Sequence, residues 1–394
     1  MTDPLKRTKL EKLLSNAPKP QLHLHLDGSL SYKFIKESIE RMKVIGNTCE
    51  DFFYGETDIP TNADELYQWL MDIKKEQILG GSIAPKNSNW KVFDFCNQFL
   101  QTAENLLLST YELIMFLYKE HKVNYFEIRF APVLHTRHGL SKKDAVNAVV
   151  TGLKKAFKEL EENEINVDGG IILCCLRSYS VNEAFETLDL CKNINGVIGF
   201  DIAGDEGTYP LKLFTDVILS ARQSGINVTV HAGEWNEKEF PSSIENIILA
   251  LELKVDRIGH GLALRSAEPC VFQQLRKSKT AIEVCVTANC GNPRKCKSFG
   301  EHPLQLLLEQ QVNVSGLNVD NLLLSGNLEI GSPNPTNECV HALLDCSVSP
   351  LDLLKVIENG YKSAFCRDIT SLRNKSIQIW KEYYLPKIID ILSK

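Results

Sequence analysis

Eight short β-rich runs, separated by longer helical stretches, recur along the 394 residues, and this recurrence limits the fold more than any other feature. The first run is Gln21-Leu-His-Leu-His-Leu-Asp-Gly-Ser29. It is followed by runs at 125–130, 170–175, 197–203, 227–231, 256–260, 281–285 and 312–317. Most are continuously apolar rather than alternating, as parallel strands covered on both faces require. Helical patterns fill 140–162, 181–193, 210–224, 240–253, 267–278, 301–311 and 348–366. Strand and helix alternating eight times predict an α/β fold of the closed (β/α)8 TIM-barrel kind. The alternative, an open doubly wound sheet, lacks its usual mark, because no glycine-rich phosphate loop follows the first strand.

One connection is out of proportion. Residues 31–122 are far longer than a single crossover and carry Phe52, Phe53, Tyr54, Tyr67, Trp69, Trp90, Phe93, Phe95 and Phe99. Leaving the first strand, a helical insertion of this size is expected to cover the C-terminal mouth of the barrel as a lid. Most of these aromatics are expected simply to pack the insertion onto the barrel. Phe95 and Phe99, four residues apart, share a helix face and are the pair expected to touch a ligand. Repeats, low-complexity tracts and linkers are absent, so residues 1–394 read as a single domain.

Composition removes several function classes. The net charge is −6, which attracts neither nucleic acid nor a membrane surface. The first twenty residues carry Lys6, Arg7, Lys9, Glu11 and Lys12 and no apolar core, unlike a signal peptide or a membrane span. The twelve cysteines have no paired spacing and read as reduced thiols of a cytoplasmic protein. Cys290 and Cys296 are too widely spaced for a zinc-ribbon knuckle.

In a barrel of this kind the chemistry lies at the C-terminal strand ends. His23 and His25 alternate with leucines, so both imidazoles leave one face of the first strand, with Asp27 just beyond. The fifth strand ends in His231-Ala-Gly-Glu234, the sixth in Arg257-Ile-Gly-His260, and the eighth runs into Asn318-Val-Asp320-Asn321. Four of the nine histidines thus fall at three strand ends. The others, His121, His135, His138, His302 and His341, are expected at the surface or at helix caps. Three neutral imidazoles and one carboxylate converging from these strand ends would make a nitrogen/oxygen set suited to zinc and, less selectively, to other divalent ions. Such an ion lowers the pKa of its water towards ~7. Glu234 is placed as general acid or base, and His260 to orient or deprotonate the water.

His23-Leu-His25-Leu-Asp-Gly-Ser, Gly199-Phe-Asp-Ile-Ala-Gly204-Asp-Glu, His231-Ala-Gly-Glu234, Arg257-Ile-Gly-His260-Gly and Ile282-Glu-Val-Cys285 occur in this order. Together they resemble the adenosine deaminases of the metal-dependent hydrolase superfamily, over roughly residues 20–365. The resemblance implies attack of a zinc-bound hydroxide on C6 of adenosine, giving inosine and ammonia. It implies His23, His25, His231 and Asp320 as zinc ligands, Glu234 as proton donor to purine N1, and His260 as the residue that holds and activates the water. It further implies Gly204 as the backbone N–H that meets N3, Asp27 as partner of the ribose 5′-hydroxyl, and Phe95 and Phe99 as apolar cover for the base.

The chain departs from the family at two places. Where a second aspartate usually follows the ligand, Asn321 stands here, and an amide can donate to purine N7 without protonation. Val286-Thr-Ala-Asn-Cys-Gly also replaces the usual Pro-x-Ser-Asn run. The expected partner is a purine nucleoside with a free 5′-hydroxyl, since a phosphate beside Asp27 would be repelled. Other readings are deamination of adenine, 5′-methylthioadenosine or AMP, a nucleoside-binding or signalling relative with little turnover, and an amidohydrolase acting on a non-purine substrate.

Overall fold

A computed structural model describes residues 4–44, 65, 68, 69, 72, 91–235, 240, 242–290, 295–325, 333–366 and 368–394. Eight strands form one parallel sheet in chain order: β1 (Lys19–His25), β2 (Val123–Phe130), β3 (Asp168–Leu176), β4 (Val197–Ala203), β5 (Asn227–Ala232), β6 (Arg257–His260), β7 (Ala281–Val284) and β8 (Val314–Leu317). The expected strands are all present, with ends moved by a few residues. The first is shorter than its apolar run suggested, because Leu26–Gly28 turn into a 3-10 helix that carries Asp27.

β1 and β8 meet through a parallel bridge between Leu24 and Asp320. Side chains complete the closure. Gln21 Nε2 donates to the Leu317 carbonyl at 2.9 Å, and the N–H groups of Leu22 and Val319 donate to Asn318 Oδ1 and Gln21 Oε1 at 2.8 and 3.0 Å. The result is a (β/α)8 barrel.

The flanking helices begin where local chemistry dictates. Ser141, Ser180 and Ser349 each accept the N–H of the acidic residue three positions on, Asp144, Glu183 and Asp352. Each such cap satisfies a donor the helix leaves unpaired, contributing about 1 kcal/mol. Beyond the expected set there are helices Pro4–Leu14, Pro335–Leu344, Thr370–Ile379 and Leu385–Ser393. The second of these was signalled by Asn334-Pro335: the Asn334 side chain accepts from Thr336 and Asn337, and proline suits a first helical turn. Among the described residues no helix is long and apolar enough to cross a membrane.

Two of the described helices in the connection after β1 pack against different neighbours. Helix Lys91–Gln98 packs against the Leu26–Gly28 turn, at the end of the strand that carries the histidines. Helix Ala103–His121 instead lies along helix Lys142–Glu162 on the barrel flank, where a crossover helix belongs. Phe95 and Phe99 are buried with their ring centroids 5.3 Å apart, and Trp69 meets Phe95 at the same distance. Phe52, Phe53, Tyr54, Tyr67 and Trp90 lie outside the described residues.

Candidate active site

The imidazoles of β1 and β5 converge on the barrel axis. His25 Nε2 and His231 Nε2 lie 3.1 Å apart, and Asp320 Oδ1 is 3.7 Å from the Nε2 atoms of both His23 and His25. Donor atoms of His23, His25 and His231 all lie within 4.8 Å of one another, as do those of His23, His260 and Asp320. Tetrahedral ligands at ~2.0–2.1 Å from a common ion stand roughly 3.3 Å apart, close to what is seen here. His23 Nε2 is fully buried with no hydrogen-bond partner, an orphaned lone pair that a cation would satisfy. The donor set fits a divalent metal.

The other ring nitrogens explain why Nε2 faces inward. Glu283 Oε2 takes His23 Nδ1 at 2.7 Å, and Asp201 takes His231 Nδ1 at 3.1 Å. Arg129 ties the two carboxylates together, 3.0 Å from Asp201 and 2.8 Å from Glu283, while Arg257 reaches Glu283 at 2.6 Å and also pairs with Glu127. These five charges are completely or nearly completely buried in the barrel interior. Burial, followed by the Arg129 charge, holds His23 well below the usual imidazole range; burial, against Asp320, lowers His25 to about 3. Burial also opposes charge on His231, but Asp201 outweighs it and raises its basicity. A carboxylate behind an imidazole fixes the tautomer and strengthens the nitrogen that faces a metal.

His260 and Asp320 adopt left-handed backbone conformations, with φ of 66° and 67°. Non-glycine residues rarely do so, and such strain clusters at functional sites. His260 Nδ1 meets Asn289 Oδ1 at 3.0 Å, which leaves Nε2 free to point at the cluster, 3.9 Å from Glu234 Oε1. The Glu234 turn hangs from Glu206, whose carboxylate accepts the N–H groups of Gly233, Glu234 and Trp235 at 2.9, 2.7 and 3.3 Å. Burial alone would raise the Glu234 carboxyl, but Lys295, His260 and His231 together hold it well below the usual range.

The remaining expected residues rim the same mouth. Gly204 has a φ of 101°, and a Cβ there would sit 3.5 Å from the Arg177 nitrogen, so backbone conformation is what demands glycine. Asp27 is 3.9 Å from His25 Nδ1, and its buried Oδ1 has no hydrogen-bond partner. Burial pushes its carboxyl up to about 7, with the nearby Asp320 charge adding to that. Asn321 presses on Gly28 so closely that its Oδ1 would fall 1.6 Å from a Cβ at that position.

Several residues of this arrangement had no role assigned from sequence: Asp201, Glu283, Arg129, Asn289, Glu206 and Lys295. For Asp201, Glu283 and Arg129 the one signal was charge inside otherwise apolar strands, as in Phe126-Glu-Ile-Arg-Phe130 and Ile282-Glu-Val284; Asn289, Glu206 and Lys295 lie beyond the strand ends and gave none. Of the histidines outside the cluster, His302 is the C-cap of the Phe299–Glu301 turn, as expected of a capping residue. His135 and His341 are buried rather than superficial, and the capping His302 is buried as well. His135 Nδ1 meets the Leu100 carbonyl at 2.9 Å, His341 meets Asp345 at 2.6 Å, and His302 lies 3.3 Å from the Asn289 amide that supports His260. Every cysteine among the described residues is a free thiol, as expected.

The adenosine deaminase family model matches residues 18–371. The chain belongs to the adenosine deaminase family. An adenosine deaminase of Lactococcus lactis is 29% identical over 325 residues, covering 81% of this chain and 83% of that protein. The fold is also that of an N6-methyl-AMP deaminase from Arabidopsis thaliana, at a TM-score of 0.71 and 19% identity over 95% of this chain and 98% of that one. An amidohydrolase from Burkholderia ambifaria, solved with bound zinc, superposes at a TM-score of 0.73 and 20% identity, covering 97% and 93%. The chain is therefore a deaminase-type hydrolase on a TIM barrel.

Proposed function

We propose that the protein deaminates adenosine, or a close 6-aminopurine nucleoside, by hydrolysis to inosine and ammonia. The observation that carries this reading is the convergence of three imidazoles and Asp320 beside Glu234 and His260. His23, His25, His231 and Asp320 would hold one zinc ion; the family and the zinc-bound Burkholderia ambifaria neighbour support that choice. When bound, zinc supplies Lewis acidity and a water acidified towards ~pH 7. The chain's own groups do the rest. Glu234 holds the purine at N1; ionised in the ligand-free protein by Lys295, His260 and His231, it takes up a proton as the purine binds and passes it to N1, which makes C6 electrophilic. His260, oriented by Asn289, draws the proton from the attacking water. Gly204 offers its N–H to N3, Asn321 its amide to N7, and Asp27 binds the ribose 5′-hydroxyl. Phe95 and Phe99 cover the base.

A nucleotide is the second reading, favoured by one observation. Charge at Asp27 disfavours a 5′-phosphate, but with its carboxyl pushed up to about 7 only about half of that charge is present at neutral pH. The Arabidopsis neighbour is named for N6-methyl-AMP. Purified protein with measured zinc content, assayed on adenosine, adenine, 5′-methylthioadenosine, AMP and N6-methyl-AMP, tests both. Adenosine is expected to be the best substrate. Turnover of the nucleotides alone would overturn the nucleoside reading, and ammonia release no faster than that of Glu234→Gln would leave a binding protein.

A further inference from the structure

The segment after β7 sends two side chains back to neighbouring strand ends. Asn289 holds His260, as described above. Lys295 holds Glu234: its Nζ lies 2.5 Å from Glu234 Oε1 and 3.4 Å from the Ala288 carbonyl. This is not a surface lysine that has met a carboxylate by chance. Lys295 is only 8% exposed, and its Nζ lies over the Trp235 ring, 5.1 Å from the centroid. Its backbone is anchored too. The Lys295 carbonyl accepts from Arg265 Nη1 at 3.0 Å, and the next residue, Cys296, forms a parallel bridge with Cys290 and donates its N–H to the Asn289 carbonyl at 3.0 Å. Lys295 and Asn289 are therefore braced against each other. Immobilising so flexible a side chain costs rotamer entropy, and burying its charge costs more unless it is paired.

Glu234 needs such a partner. Its N–H is fixed by Glu206, but that bond leaves the carboxyl free to rotate about its side-chain bonds. We propose that Lys295 is a positioning residue for Glu234: by occupying Oε1 it fixes the carboxyl so that Oε2 faces the ring nitrogen of the substrate. The paired oxygen is the one on the His260 side, which keeps the imidazole and the substrate from competing for the same lone pairs. The inference rests on the deaminase reading above and adds to it the residue that aims the N1 contact. Misplacing a reacting group by ~1 Å can cost ~10²-fold in rate, so this aim has kinetic weight.

Lys295→Met keeps the length of the stem and removes the charge; Lys295→Arg restores a cation. Lys295→Met is expected to lower kcat on adenosine by roughly 10- to 100-fold with KM little changed and zinc content intact, and Lys295→Arg to recover most of the loss. Two further readouts separate positioning from mere structural support. 1-Deazaadenosine, which has carbon in place of N1, should bind wild type and Lys295→Met equally, whereas purine riboside, whose 1,6-hydrate carries a proton on N1 and mimics the transition state, should bind the variant more weakly. Without any ligand, reductive methylation followed by mass spectrometry should spare Lys295 in the wild type and label it readily in Glu234→Gln. A wild-type kcat in Lys295→Met, or labelling of Lys295 in the wild type as fast as surface lysines, overturns the proposal. Failure of the deaminase reading looks different: the wild type itself releases no ammonia from any 6-aminopurine. The methylation comparison then decides alone whether Lys295 holds Glu234.

Discussion

Asn321 is packed against Gly28 with no room to spare, and its buried Oδ1 has no partner. An aspartate has the same shape, so Asn321→Asp changes the chemistry at that point without changing the packing. The amide donates to an acceptor such as purine N7 whatever the pH; a carboxyl does so only while protonated. Asn321→Asp is therefore expected to keep zinc and thermal stability but to lose kcat/KM on adenosine as pH rises, by roughly 10-fold or more once the carboxyl ionises. The wild type should show no such loss from this position. A tenfold gain in adenosine turnover would instead mean that Asn321 is tuned for another base. The substitution was plain in the sequence, but its consequence was not, because the contact with Gly28 joins residues 293 positions apart.

β7 and the segment after it organise the site more than its motif suggested. Glu283 receives His23, Arg129, Arg257 and Thr229 at once, at 2.7, 2.8, 2.6 and 2.9 Å. Glu283→Gln should weaken zinc binding by roughly 10- to 100-fold, the usual cost of losing a carboxylate behind a ligating imidazole, as read by competition with a chelator. The next turn of chain hangs on Glu338, which accepts the N–H groups of Val286 and Thr287 at 2.8 and 3.2 Å. Burial pushes the Glu338 carboxyl up to about 8, outweighing the lowering effect of those bonds. A carboxyl that binds its proton more tightly folded than unfolded contributes its full stability below pH 4.5, and that contribution is lost as pH rises towards 8. Unfolding free energy should thus decline across this window by up to ~1.4 kcal/mol per pH unit, and Glu338→Gln should flatten the decline. Denaturant melts at pH 5, 6, 7 and 8 measure both. An unchanged slope in the variant would remove Glu338 from the account.

At the scale of the whole barrel, sequence reveals what repeats and hides what crosses. The eight strands were legible because parallel strands covered on both faces must be apolar, and His23, His25, His231 and His260 stood out at their ends. The charges beneath them were also visible as interruptions, but nothing local told which carboxylate served which imidazole, since Glu283 and His23 are 260 residues apart. Within the long connection after β1, sequence gave no sign that helix Ala103–His121 would lie along helix Lys142–Glu162. These cross-barrel ties would give a bound metal a role in stability as well as chemistry. Asp320 bridges to Leu24 and closes β8 on β1, while His231 brings in β5, so an ion held by His23, His25, His231 and Asp320 would join three strands from opposite ends of the chain. A ligand that binds only the folded state stabilises it by about 2.7 kcal/mol at a hundredfold excess over Kd. Chelation is therefore expected to lower the melting temperature, and added zinc to restore it. His231→Ala should melt at the same temperature with or without zinc and bind no ion by elemental analysis. If the wild type melts identically before and after complete removal of its metal, the cluster does not hold the barrel together through an ion.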